Sequence, residues 1–188
     1  MVSKIIFILI LFTLFLCSMI GMKQWTLSTG TPVLLETQPI DPRSLFRGDY
    51  VRLNYSISNL KPSELTGDDE FKKHDVIYVT LKKQKKYWVP QSVTHEAPQE
   101  NDLYLKGTIQ YVSQHSWNQE TETSDEITNL QIKYGIENYF VPEYEGLELE
   151  RRDNDQVVDI RVAIDKYGRS DIKAVLVNDI IKYKETLL

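Results

Sequence analysis

The chain has 188 residues, of which 22 are basic and 27 are acidic, so its net charge at neutral pH is −5. This acidic balance argues against general nucleic-acid binding, which needs a basic surface, and against broad adhesion to anionic lipid headgroups. The only cysteine, Cys17, lies in an apolar N-terminal stretch. The rest of the chain therefore has no disulfide, no thiol nucleophile and no cysteine metal site.

The N-terminal stretch is long enough to cross a membrane. Residues 5–22 carry no charge, and at a rise of about 1.5 Å per residue they form a helix of roughly 27 Å, close to the span of a bilayer core. A cleaved signal peptide would need small residues in an A-x-A-like cleavage site, and residues 17–22 contain no such site. A lipoprotein processed at Cys17 would need a small residue where Leu16 stands. We therefore predict an uncleaved transmembrane signal anchor over residues 1–22.

The residues that flank the anchor bear on its orientation. Lys4 and the amino terminus favour a start inside the cytoplasm, although Lys23 reduces the charge asymmetry. Residues 23–30 are mostly polar and predict a short tether, in which Trp25 is placed as an interfacial aromatic anchor. Residues 31–188 then predict one extracytoplasmic β domain.

A charged turn followed by a strand occupies residues 41–57, after a first strand predicted over residues 32–40. Pro42 fixes its own φ and biases Asp41 toward extended backbone, and Gly48 tolerates a positive φ. From Tyr50 onward apolar and polar residues alternate, which is the period of a half-buried strand. The apolar face of this strand consists of Val51, Leu53, Tyr55 and Ile57.

Within this segment, Gly48-Asp49-Tyr50-x-x-Leu53-x-Tyr55 resembles the signature of the GDYXXLXY family of bacterial membrane-anchored proteins. Residues 104–107, 135–143 and 162–177 are similar to that family as well, so that the resemblance covers most of the chain after residue 30. It implies an anchored domain of the bacterial envelope, in some cases encoded beside multispanning membrane proteins. It implies no known activity.

Alternating patterns predict further strands downstream. Residues 59–73 read as a surface loop with one helical turn after Ser63. Residues 76–81 and 87–93 predict a hairpin, and the four lysines at its tip are typical of a solvated turn that protects a sheet edge. Residues 103–112 predict a strand in which Gly107 is a candidate β-bulge.

The C-terminal part continues in the same style. Residues 113–128 predict a loop, and residues 130–137 a half-buried strand. Pro142 is placed to begin a short helix. Residues 157–164 and 172–177 predict a closing hairpin, followed by a last strand or short helix. With seven to nine strands and one short helix, the predicted fold class is mainly β, an antiparallel barrel or sandwich preceded by one transmembrane helix.

Few residues suggest catalysis. The three histidines lie about twenty residues apart, without the tight spacing of a zinc site, so neither a metal nor a cofactor is predicted. Ser44, Ser92 and Ser113 are candidate nucleophiles if a Lys or His base lies nearby, but the chain has no G-x-S-x-G elbow. Carboxylate pairs for glycoside hydrolysis are available among Asp49, Glu143, Glu148 and Glu150, yet an acidic chain forms such pairs by chance.

The aromatic residues allow two interpretations. Eleven tyrosines and three tryptophans could stack on sugars or lipid headgroups. However, five of the tyrosines fall on predicted strands, where tyrosine packs in cross-strand pairs, and packing is the better prediction. These five are Tyr55, Tyr78, Tyr104, Tyr111 and Tyr134.

The charged turn also allows two roles. In the structural one, Arg43 or Arg47 forms an ion pair with Asp41 or Asp49 and locks the turn. In the functional one, a docking surface or ligand cleft is lined by the candidate binding residues Arg43, Arg47, Asp49 and Tyr50. The residues predicted to be structural are Asp41, Pro42, Gly48, Leu53 and Tyr55. We favour the structural role because tight turns require Gly, Pro and Asp.

These features predict a non-enzymatic envelope domain that binds or scaffolds a partner, most plainly an integral membrane protein, since the anchor raises the effective concentration of membrane partners. An alternative is an envelope hydrolase acting on peptide or glycan, centred on Ser44 or on a carboxylate pair. A third is a glycan- or lipid-binding module with a row of exposed aromatic side chains.

Overall fold

The structure is a computed structural model that describes residues 2–38, 50–99, 102–115, 126–140 and 157–185. Within these ranges the chain forms one α-helix, two short 3₁₀ turns and thirteen strands. The helix α1 spans Val2–Thr29, and the 3₁₀ turns span Ser56–Ser58 and Pro62–Glu64. The strands are β1 Thr31–Gln38, β2 Tyr50–Arg52, β3 Asn54–Tyr55, β4 Asn59–Leu60, β5 Thr66–Gly67, β6 Val76–Gln84, β7 Tyr87–Thr94, β8 Tyr104–His115, β9 Glu126–Lys133, β10 Asn138–Phe140, β11 Val158–Ile164, β12 Ser170–Val177 and β13 Ile180–Lys184.

The strands form two larger sheets and a separate pair. One sheet has the order β13-β12-β11-β1-β3, the other has the order β4-β9-β8-β6-β7-β5, and β10 pairs with β2. The sheets curl into a half-barrel, so the mainly β prediction is confirmed. The short helix predicted from Pro142 lies outside the described residues.

The helix α1 is exposed along the whole apolar run. It is long and apolar enough to cross a membrane, and none of that stretch is buried against the domain. A helix that is apolar on every side and exposed needs lipid or other protein around it. The helix also continues through the predicted tether and ends at Thr29.

The signature segment connects the sheets, although it is not the single strand that its alternation predicts. The strand is interrupted at Leu53, and the 3₁₀ turn Ser56–Ser58 follows Tyr55. As a result β2 pairs with β10, β3 pairs with β1, and β4 pairs with β9, all antiparallel. Each short piece thus bonds to a different neighbour, and a continuous strand would not reach all three.

The core lies between the inward faces of the sheets. It is built from aliphatic residues of β1, β6, β8, β9, β11 and β12, with Tyr55 and Ile57 of the signature segment fully buried among them. Tyr55 and Tyr134 are buried, and Tyr78 meets Tyr104 edge to face at 5.6 Å between ring centroids. The packing prediction is confirmed for these four tyrosines. It is wrong for Tyr111, whose side chain is exposed.

The two predicted hairpins are confirmed, as β6–β7 and β11–β12. The predicted bulge at Gly107 is wrong, because Gly107 pairs regularly with Ile77. The irregularities of β8 lie between Ile109 and Tyr111 and between Ser113 and Gln114. A Cβ atom at Gly107 would lie 2.5 Å from Cγ2 of Ile132. The glycine therefore makes room for the neighbouring strand.

Candidate functional site

Most of the predicted binding turn lies outside the described residues. This applies to Arg43, Arg47 and Asp49, and equally to Asp41, Pro42, Ser44 and Gly48. Tyr50 is described by its backbone, which begins β2 opposite Phe140. The role of the turn, structural or binding, therefore stays a prediction.

The second half of the signature is buried and hydrogen-bonded within the domain. The Tyr55 side chain is fully buried, and its hydroxyl donates a hydrogen bond to the carbonyl oxygen of Ile136 at 2.6 Å. In return, the Tyr134 hydroxyl donates to the carbonyl oxygen of Ile57 at 2.8 Å. Burial, with a smaller contribution from the Glu137 carboxylate, raises the pKa of both phenols. Both hydroxyl groups therefore stay protonated and act as hydrogen-bond donors.

Glu137 completes the contact between the signature segment and residues 135–140, which also resemble the family. Its carboxylate accepts hydrogen bonds from the backbone N–H groups of Tyr134 and Gly135, and its own carbonyl oxygen accepts from the N–H of Leu53 at 2.7 Å. Gly135 has a φ of +90°, which a residue with a side chain adopts only with strain. The signature strand and residues 135–140 are thus fastened together around this turn.

Tyr55→Phe is expected to lower the free energy of unfolding by about 1–2 kcal/mol, because the carbonyl oxygen of Ile136 is left buried without its donor. Urea unfolding of the full chain in neutral detergent, followed by circular dichroism, measures the change. Tyr111→Phe serves as the control, because its ring is exposed, and no measurable loss is expected. Equal stabilities of wild type and Tyr55→Phe would contradict the structural role of Tyr55.

Residues 104–107 and 162–177, which also resemble the family, contact each other. The Tyr104 hydroxyl donates to the carbonyl oxygen of Lys166 at 2.9 Å, and the N–H of Lys106 donates to the carbonyl oxygen of Gly168 at 2.8 Å. Gly168 has a φ of +74°, and a Cβ atom there would lie 2.6 Å from the Tyr104 ring. The turn between β11 and β12 is therefore held against the start of β8.

The C-terminal end of α1 is fixed to this same β11–β12 hairpin. Thr26 and Leu27 are buried, and the Lys173 ammonium donates to the carbonyl oxygen of Leu27 at 3.2 Å. A cation at the negative end of a helix dipole is stabilising. A Cβ atom at Gly30 would lie 2.5 Å from the carbonyl oxygen of Thr26. The predicted tether is therefore a packed junction.

Asp165 organises the turn beside the junction. Its carboxylate accepts from the guanidinium Nε of Arg169 at 2.7 Å and from the backbone N–H groups of Tyr167 and Arg169. The Thr26 hydroxyl also reaches this carboxylate, at 3.4 Å. On its other side the Arg169 guanidinium lies 3.9 Å from the Met22 sulfur. Met22 is the last residue of the apolar run, so Arg169 lies where that run ends.

A basic cleft opens next to this turn, between it and the outer face of β8 and β9. The cleft has a volume of about 420 Å³ and is lined by Lys106, Gly107, Thr108, Gln110, Lys133, Tyr134, Gly135, Arg169 and Ser170. Three of these side chains are cationic and none is a carboxylate. The Ser170 hydroxyl is buried and has no hydrogen-bond partner in the part of the chain that the structure describes. We call this site the β8–β12 cleft.

His95 forms a second polar cluster that the sequence spacing did not reveal. Its ring nitrogens lie 2.7 Å from Asp68 Oδ2 and 3.3 Å from Asp75 Oδ2, and the ring stacks on Phe71. The hydrogen bond to Asp68 raises the pKa of His95, and its backbone and side-chain bonds lower the pKa of Asp68. No group of three or more His, Cys, Asp or Glu residues within the described ranges could hold a metal ion.

The His95 cluster predicts a defined pH dependence. The pKa of His95 is raised from 6.5 in the folded state. Its contribution to the free energy of unfolding is therefore complete below about pH 6.5 and is lost as the pH rises through the folded-state pKa. The Asp68 and Asp75 pKa values are lowered from 3.8, so their contribution is lost only below that pH. Wild type is therefore expected to exceed His95→Gln in stability by up to about 1 kcal/mol between pH 4 and 6.5, and by less at pH 9.

Urea unfolding of the full chain at several pH values measures this difference. Asp68→Asn removes the strongest partner of His95 and should flatten the pH dependence in the same window. A difference between wild type and His95→Gln that grows above pH 6.5 would contradict the assignment.

Asp159 is buried between the sheets and meets the tip of the β6–β7 hairpin. Its carboxylate lies 3.1 Å from the Lys86 ammonium and accepts a 2.9 Å hydrogen bond from the Tyr87 hydroxyl. Lys86 also contacts Asp179 at 2.9 Å, and the bonds to Asp179, Tyr87 and Asp159 raise the pKa of Lys86. The prediction of a solvated tip fits all four lysines, which are exposed, and Lys86 in addition pairs with two carboxylates.

The remaining catalytic candidates gain no support. Neither the Ser92 nor the Ser113 hydroxyl forms a hydrogen bond to a His or Lys within the described residues. Ser44, Asp49, Glu143, Glu148 and Glu150 all lie outside them.

The comparisons with known proteins agree with the motif. The model of a family described as GDYXXLXY protein matches residues 12–175. No curated protein and no solved structure matches the chain. The match includes α1 from residue 12 onward, the signature segment and nearly all of the closing hairpin. The chain belongs to the GDYXXLXY family.

Proposed function

We propose that this chain is a single-pass, membrane-anchored envelope protein whose β domain lies outside the cytoplasm and binds an integral membrane protein. The observation that carries the proposal is the packed junction between α1 and the β11–β12 hairpin. Thr26 and Leu27 are buried there and Lys173 holds the helix end. The proposed role is non-enzymatic.

A fixed junction favours partners in the same membrane. A domain on a flexible tether samples many orientations, and association must then overcome the loss of that freedom. A domain packed on its anchor presents one surface at one height above the bilayer. Confinement to the membrane further raises the effective concentration of neighbours. Exposed aromatic side chains lie at this height, namely Trp25 at 64% and Tyr167 at 56% exposure.

Site-specific photo-crosslinking in native membranes tests the partner. A photoreactive residue at Trp25 or Tyr167 is expected to capture a protein that itself resists alkaline extraction from the membrane. Lys83 serves as the control position, because the hairpin tip contacts Asp159, about 20 Å along β11 from the junction. Absence of any crosslink at both junction positions, or the same products at Lys83, would contradict the proposal.

The orientation is tested separately. A fusion of alkaline phosphatase, which folds only where disulfides form, to the C-terminus is expected to be active. If the alkaline phosphatase fusion is inactive and a C-terminal fusion to green fluorescent protein is fluorescent, the domain lies in the cytoplasm and the proposed location is overturned. The crosslinking result does not depend on this outcome.

A further inference from the structure

We propose that the β8–β12 cleft binds a phosphate group, and specifically that of an anionic phospholipid headgroup. The first observation is the chemistry of its walls. Lys106 and Lys133 are exposed and form no ion pair among the described residues, and Arg169 adds a third cation. Ammonium and guanidinium groups that converge on one concave site are typical of phosphate recognition.

The strand register explains why these side chains share the cleft. In β8 every second residue points the same way, so Lys106, Thr108 and Gln110 face outward while Leu105 and Ile109 enter the core. Lys133 lies opposite Thr108 on β9. The two lysines are therefore on the same face of adjacent strands.

Two carboxylates near the cleft already accept hydrogen bonds from the chain itself. Asp165 accepts three hydrogen bonds within its own turn, two of them from the backbone N–H and the Nε of Arg169. Glu137 accepts from the N–H groups of Tyr134 and Gly135. Neither carboxylate lines the cleft. Arg169 uses its Nε atom for Asp165, which leaves other guanidinium N–H groups for a ligand.

Ser170 supplies an independent indication of a ligand. Ser170 lines the cleft, and its hydroxyl is buried and has no partner within the described chain. A buried polar group without a hydrogen bond is costly. A phosphate oxygen would accept a hydrogen bond from it, and so remove this cost.

The position of the cleft indicates a lipid rather than a soluble phosphate. Arg169 lines the cleft and also lies 3.9 Å from the sulfur of Met22, at the end of the apolar run. Headgroup phosphates lie at this boundary when residues 5–22 span the bilayer. The acidic net charge of the chain opposes general adhesion to anionic lipid, whereas a single cleft of local positive charge selects one headgroup. This inference rests on the anchored placement in the proposed function and needs no protein partner.

Native mass spectrometry of the full chain, released from neutral detergent containing phosphatidylglycerol and phosphatidylcholine, tests the inference. Wild type is expected to retain phosphatidylglycerol preferentially, and Lys106→Gln/Lys133→Gln to reduce this retention about tenfold or more, as expected for the loss of two charge-assisted hydrogen bonds. Lys82→Gln/Lys83→Gln makes the same change in charge on the exposed hairpin tip and should leave retention unchanged. Equal loss in both double variants would overturn the site.

Two further experiments distinguish a lipid phosphate from a soluble phosphate and test the role of Ser170. Glycerol phosphate is added to the full chain at constant ionic strength, and the unfolding midpoint is recorded. One outcome would overturn the lipid assignment: glycerol phosphate raises the unfolding midpoint only when Lys106 and Lys133 are present, while the retention of phosphatidylglycerol does not depend on these lysines. Ser170→Ala is expected to fold with unchanged stability and to retain less phosphatidylglycerol, and full retention would overturn the contribution of the hydroxyl. Loss of crosslinks at Trp25 and Tyr167 with intact lipid retention would affect only the partner proposal.

Discussion

Replacing Asp159 by alanine is expected to lower the free energy of unfolding by about 2 kcal/mol, because the Tyr87 hydroxyl loses its charged hydrogen-bond acceptor and the Lys86 ammonium loses one of its two carboxylate partners. The Asp159 side chain is 1% exposed and holds both the Lys86 ammonium and the Tyr87 hydroxyl. These two residues come from the hairpin of the six-stranded sheet, whereas Asp159 lies in the centre of the other sheet. The substitution therefore weakens the connection between the sheets, and urea unfolding of the full chain in detergent measures the loss.

Asp179→Asn is the matched control for Asp159→Ala, because asparagine tolerates the φ of +66° at Asp179 as aspartate does. Asp179 contacts the same Lys86 ammonium, but its side chain is 68% exposed, and exposed ion pairs contribute only about 0.2–1 kcal/mol. Asp159→Asn, which keeps an acceptor for the Tyr87 hydroxyl, should give an intermediate loss. Similar small losses in all three variants would show that Asp159 does not join the sheets.

Gly30→Ala is expected to detach the end of α1 from the hairpin and to destabilise the domain by about 2 kcal/mol, in the range of overpacked sites. The new Cβ atom would lie 2.5 Å from the carbonyl oxygen of Thr26 and 3.0 Å from backbone atoms of Ile164. All of these are backbone atoms, which cannot rotate away, so the helix end must move. Loss of the Trp25 and Tyr167 crosslinks is expected together with the lower unfolding midpoint.

Gly21→Ala provides the comparison for Gly30→Ala. No atom lies within 4 Å of a Cβ placed at Gly21, and alanine is a better helix former than glycine. This variant should keep both the stability and the crosslinks of the wild type. If Gly30→Ala behaved like Gly21→Ala, the junction would be loose, and the main support for the proposed function would be lost.

Much of the fold could be predicted from period-two alternation. The sequences of β6–β7 and β11–β12 either alternate between apolar and polar residues or are continuously apolar, and turn residues separate the two strands of each pair. Both hairpins are present in the structure. The break at Leu53 and the 3₁₀ turn after Tyr55 could not be predicted. The alternating pattern fits one continuous strand, and Ile57 is buried equally well in the 3₁₀ turn that forms. The pairing of β2, β3 and β4 with three different strands decides between them, and such pairing is a tertiary property.

The polar sites were less predictable than the strands. The His95 cluster joins residues 20 and 27 positions apart, and the β8–β12 cleft joins two strands with a distant turn. Neither arrangement leaves a short motif. The junction was missed because Lys23 to Thr29 is mostly polar, whereas its helical state depends on burial of Thr26 and Leu27 against the hairpin.

The packed junction has a consequence for the membrane-anchored placement proposed above. A transmembrane helix adapts to a mismatch with bilayer thickness largely by changing its tilt. Because α1 has no hinge before Thr29, a change in tilt is carried directly into the β11–β12 hairpin. Bilayers of different thickness are therefore expected to hold the domain at different angles and to turn different parts of its surface toward neighbouring proteins.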